Sequence, residues 1–88
     1  MRKLPPLNSI RAFEAAARHQ SFTAAAAELS VTITAVSHQI RQLEARIGHK
    51  LFERTGRAVT LTPVGKTIYP ILRDGFDQIA QAFEVVNA

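Results

Sequence analysis

Thr34, Ser37, His38 and Arg41 follow one another at intervals of three, one and three residues, which places them along one side of a helix. Ala45 continues that side, and Gln39, Gln42 and Arg46 lie at its margins. The groups on offer are hydroxyls, amides, an imidazole and guanidinium, with no carboxylate before Glu44. Such a face pairs with phosphates and base edges in a major groove. Taken alone it would serve equally as an ordinary solvated face. Downstream, Arg54 and Arg57 sit in LFERTGRAVTLT, around the turn residue Gly56. Two arginines on a protruding hairpin suit a minor groove, whose negative potential attracts guanidinium, or the flanking phosphates.

Other chemistries lack their residues. His19, His38 and His49 have no metal-ligand spacing, and there is no cysteine to help them. No serine has a recognisable base and orienting partner. The four glycines are scattered and form no phosphate loop. No catalytic, metal or cofactor site is therefore expected.

The helix that carries the polar face must be held by its opposite side. Val36, Ile40, Leu43 and Ile47 recur at four, three and four, giving one apolar stripe. Thr32 is placed to cap its start and Gly48 to end it. Before it, Ser21 can cap an alanine-rich helix from Thr23 to Leu29, with Phe22 reaching into the core. Ala24 to Ala27 allow a neighbouring helix to pack close. A first helix is expected from an N-cap at Asn8 to about His19. Its core side is Leu7, Ile10, Phe13 and Ala17, while Ala15 and Ala16 add helix propensity. Arg11 and Arg18 face outward, either as phosphate contacts or as solvated charges.

After Gly48, Leu51–Arg54 and Ala58–Thr62 read as two short strands around the turn at Gly56. Thr62-Pro63 then starts a final helix, a hydroxyl cap followed by proline in the first turn. The helix should run to about Val86. Ile68, Leu72, Phe76, Ile79, Phe83 and Val86 repeat at four, four, three, four and three, close to a coiled-coil seam. Pro70 is expected to bend or loosen it near the Lys66 carbonyl. A small domain has little room to bury such a seam, so a second copy of the chain is the economical partner. The alternative is that the helix folds back on its own domain. Asp74, Asp77 and Glu84 argue against an interfacial membrane helix.

The chain is 88 residues long, one small domain, and at 47% hydrophobic residues it can bury a core. Its formal charge of +4 is uneven. Ten Lys and Arg meet four Glu up to Lys66, and one Arg meets three acids beyond it. A basic body with an acidic final helix points the body at a polyanion. No apolar run approaches the length of a membrane span, and the basic start MRKLPPLNS has no apolar stretch behind it, as a signal peptide would. The lack of cysteine fits a cytoplasmic location.

LNSIRAFEAAARHQSFTAAAAELSVT followed by AVSHQIRQLEARIGHKLFERTGRAVTLTPVG resembles the N-terminal DNA-binding domain of LysR-type transcriptional regulators, over about Leu7 to Phe83. The opening PPLNSIRAFEAAARH looks most like the branch that includes the glycine-cleavage and β-lactamase regulators. The resemblance implies a mainly α fold: a winged helix-turn-helix of three helices and a two-stranded wing over residues 1–62, with a long linker and dimerisation helix over 63–88. It implies double-stranded DNA as partner. The recognition helix, about 33–47, would enter the major groove through Thr32, Ile33, Thr34, Ala35, Ser37, His38 and Arg41. The wing arginines Arg54 and Arg57 would lie in the minor groove or on phosphates. It implies a homodimer through Ile68, Leu72, Phe76, Ile79 and Phe83, with tetramers common in full-length members. Ile33 stands where glutamine or proline is common, and His38 where arginine is common; both changes bear on which bases are read. Members usually continue into a domain that senses a small molecule. Any effector would thus act through a domain outside this chain, which is expected to be a piece of a longer protein. The competing class is a winged-helix module for protein–protein or RNA contact.

Overall fold

A computed structural model of the chain describes residues 2–55 and 58–87. The order is α1 (Leu7–His19), α2 (Phe22–Leu29), α3 (Ile33–Ile47), β1 (Phe52–Thr55), β2 (Ala58–Leu61) and α4 (Pro63–Asn87). It is the mainly α winged helix-turn-helix with a long final helix that the sequence implied. Gly56 and Arg57, the expected turn glycine and second wing arginine, lie outside the described residues.

α1 begins two residues earlier than expected, at Leu7. Its cap position is Pro6, not Asn8, and no side chain caps it. Proline's fixed φ, −54° here, already suits a cap, and the Pro6 carbonyl accepts from the amides of Ser9 and Ile10 at 3.1 and 3.3 Å. Asn8 therefore falls inside the first turn. Leu7, expected on the core side, is 56% exposed and borders a groove against α4 with Leu4. Ala15 and Ala16, read as propensity alone, are fully buried. With Ala12 they meet Ala25 and Ala26 of α2, so the first two helices approach through methyl groups.

The other caps stand where the sequence put them. Ser21 Oγ accepts from the Ala24 amide at 3.0 Å and Thr32 Oγ1 from the Ala35 amide at 3.0 Å. Gly48 ends α3 at φ 74°, the left-handed region where a side chain is strained. Val36, Ile40 and Leu43 are buried and Ile47 is half-buried.

β1 and β2 are antiparallel, pairing Phe52 with Leu61, Glu53 with Thr60 and Arg54 with Val59. A lone hairpin is marginal, and this one is fastened at its base. The Leu51 carbonyl accepts the Thr62 amide at 3.0 Å, and Thr62 Oγ1 donates to the Lys50 carbonyl at 2.7 Å while accepting from the Gly65 amide at 3.1 Å. A Cβ on Gly65 would stand 2.5 Å from the Leu51 oxygen, so only glycine lets α4 start this close to the strand.

Pro70 does not interrupt α4, which is continuous from Pro63 to Asn87. The apolar seam divides. Ile68 and Leu72 are half-buried against the cluster of Phe13, Ala17, Leu43 and Leu51. Phe76 is half-buried, whereas Ile79, Phe83 and Val86 are 52%, 64% and 78% exposed. The first turns of α4 belong to the body and the last turns stand bare.

Candidate nucleic-acid interface

The buried stripe of α3 fixes which residues face out. Thr32, Ile33, Thr34, His38 and Arg41 are exposed, and Ala35 and Ser37 are half-buried beside them. The Thr32 hydroxyl oxygen accepts from the Ala35 amide, which leaves its hydrogen free to donate outward. The amides of the first turn add the positive end of the helix dipole to the same corner. Gln39, at the margin, is tied inward: its Oε1 accepts from the hydroxyl of fully buried Ser9 at 2.8 Å.

Glu44, next to this face, lines the cleft beside Arg41, and its carboxylate is engaged by the segment that follows α3. Its side chain is 11% exposed, Oε2 accepts the Leu51 amide at 2.8 Å, and Oε1 lies 3.8 Å from Lys50 Nζ. Sequence reasoning noted its charge but not this role. An acid one turn before a glycine C-cap, next to amides emerging from the turn, is the signal that would have found it. The exposed residues of α3 from Thr32 to Arg41 include no carboxylate and offer hydroxyl, imidazole and guanidinium groups.

Arg41 from α3 and Arg54 from β1 line one cleft of about 430 Å³, joined there by Ser37, Lys50 and the carboxylates of Glu44 and Glu53. Lys50, absent from the expected site, carries a side chain 79% exposed. The Arg54 guanidinium carbon lies 5.5 Å from the centroid of the Phe22 ring. Among the described residues neither Arg41 nor Arg54 has a carboxylate within ion-pair distance. α3 and β1 thus bring to one opening two guanidinium groups that form no ion pair among the described residues.

Arg18, left open between phosphate contact and solvation, is instead engaged by carboxylates of its own chain. It bonds Glu14 through Nε at 2.8 Å and Glu28 through Nη2 at 2.6 Å. Both carboxylates come from the body, so its donors are consumed. His19 Nε2 lies 2.7 Å from the same Glu28. The hydrogen bond from Arg18 holds the Glu28 carboxyl down at about 2 from its ordinary 4.5, with His19 adding to it and burial opposing. The guanidinium is in turn pushed above its usual range, first by Glu28 and then by Glu14. Arg11 is exposed and keeps its outward position. No group of three His, Cys, Asp or Glu able to hold a metal occurs among the described residues. No helix among them is long and apolar enough to cross a membrane.

This arrangement can be set beside known proteins. Residues 7–66 match the family described as bacterial regulatory helix-turn-helix protein, lysR family. The chain is 56% identical over 79 residues to the transcriptional activator AmpR of Pseudomonas aeruginosa, covering 90% of this chain and 27% of that protein. It is 48% identical over 87 residues to the glycine cleavage system transcriptional activator of Escherichia coli, covering 99% and 28%. The chain therefore spans little more than a quarter of the length of these relatives. Among solved structures, the complex of BenM_DBD with catB site 1 DNA superposes with a TM-score of 0.85 at 32% identity, covering 94% of this chain and 92% of that one. An OxyR mutant of Corynebacterium glutamicum superposes at 0.86 with 28% identity, covering 99% and 28%.

Proposed function

Because this chain belongs to the LysR family of bacterial regulatory helix-turn-helix proteins, we propose that it is the part of a transcription regulator that reads double-stranded DNA by sequence. α3 lies in a major groove. Thr32 and Ser37 hold phosphates, His38 and Arg41 reach base edges or phosphates, and Ile33 meets a thymine methyl group. Thr34 and Ala35 line the contact between them. Arg54 enters the adjoining minor groove or its phosphate walls, and Arg57, three residues on in sequence, is assigned the same task. The observation that carries this reading is the cleft lined by Arg41 and Arg54, neither of them in an ion pair among the described residues, beside the exposed polar residues Thr34 and His38 of α3. A relative of the same fold and 32% identity is named for its complex with DNA.

The bare distal half of α4 supports a homodimer in which two such helices pair and cover Phe76, Ile79 and Phe83. Ile68 and Leu72 already lean on their own body and extend that contact from beneath. A dimer presents two copies of α3 to successive major grooves, about 34–36 Å apart. The body, residues 1–62, does the reading and residues 63–88 set the spacing. Regulation by a small molecule, and assembly into tetramers, belong to a longer cytoplasmic protein patterned on relatives more than three times this length.

Selection of duplexes from a random pool by the purified chain tests the reading. Enrichment of paired half-sites about one helical turn apart is expected. A pool that emerges unenriched, with binding that does not respond to salt, would instead assign the module to protein or RNA contact.

A further inference from the structure

We propose that Phe22 is the positioning residue for Arg54, holding the wing guanidinium at a fixed offset from α3 without using its hydrogen-bond donors. This rests on the reading that Arg54 contacts DNA.

Phe52 and Arg54 are two apart on β1 and share one face of the hairpin, the face turned to the body. Phe52 fills that side: its ring is tilted on fully buried Phe13 at 5.5 Å, and the Phe22 ring stands edge-on to it at 5.3 Å and 78°. Three rings thus lead from the core to the surface, and the last is fixed at the first residue of α2, behind the Ser21 cap. Arg54 lies across the exposed end of this series, 5.5 Å from the Phe22 centroid. The negative face of a ring attracts a cation at this range.

The kind of partner decides what the arginine can still do. Arg18 is held by two carboxylates that occupy its N–H groups. A ring takes the flat face of a guanidinium and leaves the in-plane donors open. Arg54 therefore lies against the ring with its donors available, and a group ordered before binding loses less freedom on binding. Arg41 lines the same cleft from α3, so the ring holds one of the two cations that meet there.

The test is a double-mutant cycle on affinity for the duplex enriched by selection, read by fluorescence anisotropy with each variant's fold checked by thermal unfolding. Phe22→Leu keeps apolar bulk and removes the π face. It should weaken binding about 2- to 5-fold, Phe22→Tyr should restore it, and Phe22→Leu should cost nothing more in an Arg54→Ala background. Equal losses in both backgrounds make Phe22 merely structural and overturn the inference. Tighter binding by Phe22→Leu would mean that DNA must break the contact, and also overturns it. An Arg54→Ala chain that binds like the wild type removes the wing from DNA and takes down the reading beneath. Should Phe22→Leu not fold, the free wild-type chain decides by NMR. Its Arg54 Cδ protons should be shifted upfield by the ring current, and ordinary shifts overturn the inference.

Discussion

Oε2 of Glu44 accepts the amide of Leu51 at 2.8 Å, so the last turn of α3 and the residue leading into β1 share one hydrogen bond. Leu51 is fully buried, and the Glu44 side chain that reaches it is 11% exposed. Glu44→Ala should cost about 1–3 kcal/mol, the penalty for a buried donor left unmade. Glu44→Gln keeps an acceptor and should cost less. Urea unfolding of the two variants gives the comparison; equal losses would mean that the carboxylate acts through charge alone.

Gly65→Ala gains helix propensity yet should destabilise, because its Cβ meets the Leu51 carbonyl at 2.5 Å and backbone must move. A loss of about 1–3 kcal/mol is expected from overpacking. Equilibrium unfolding checks it, and an unchanged midpoint would show that the start of α4 yields at no cost.

Acid should loosen the junction of α1 and α2. The Glu28 carboxyl sits at about 2 when folded and at 4.5 ordinarily. The depression makes its contribution full above 4.5 and lost as pH falls toward 2. The group is partly exposed, so solvent screens the effect and the change is modest. Over that range the wild type should lose stability more steeply than Glu28→Gln; parallel pH profiles would remove this ion cluster as the cause.

Arg18 and Arg41 should separate in their effects. Arg18→Ala should lower stability and leave DNA affinity of the folded chain unchanged, since its donors are bound to Glu14 and Glu28. Arg41→Ala should leave stability unchanged and weaken binding by about 1–3 kcal/mol if it reads a base, or reduce the salt slope by about 1 if it holds a phosphate. Thermal melts and binding titrations across salt concentration distinguish the cases.

Phe83→Asp probes the pairing of α4 more cleanly than a change at half-buried Phe76, because Phe83 is 64% exposed. The variant should sediment as a monomer with its body's melting unchanged. A persisting dimer would place the interface elsewhere.

The local rules of helix ends were readable along the chain. Ser21, Thr32, Gly48 and Thr62 each act within three or four residues of themselves, and each cap stands where its residue type put it. The outward face of α3 was likewise readable, since period alone divides Val36 and Ile40 from His38 and Arg41. What period could not supply were partners from distant segments. Gln39 is tied to Ser9, Arg18 to Glu28, Arg54 to Phe22, and Gly65 is pressed on Leu51. Asn8 was misplaced because a proline carbonyl did the capping that its side chain suggested. The seam of α4 is continuous in sequence, but the body is only long enough to cover its beginning.

α3 keeps its two duties on separate sides. Val36, Ile40 and Leu43 bear the tertiary structure, while Thr34, His38 and Arg41 rest on nothing within the molecule. Changes among the latter three can alter which target is preferred while the scaffold melts as before. New binding preferences can therefore arise in this lineage by single steps, without passing through unfolded intermediates.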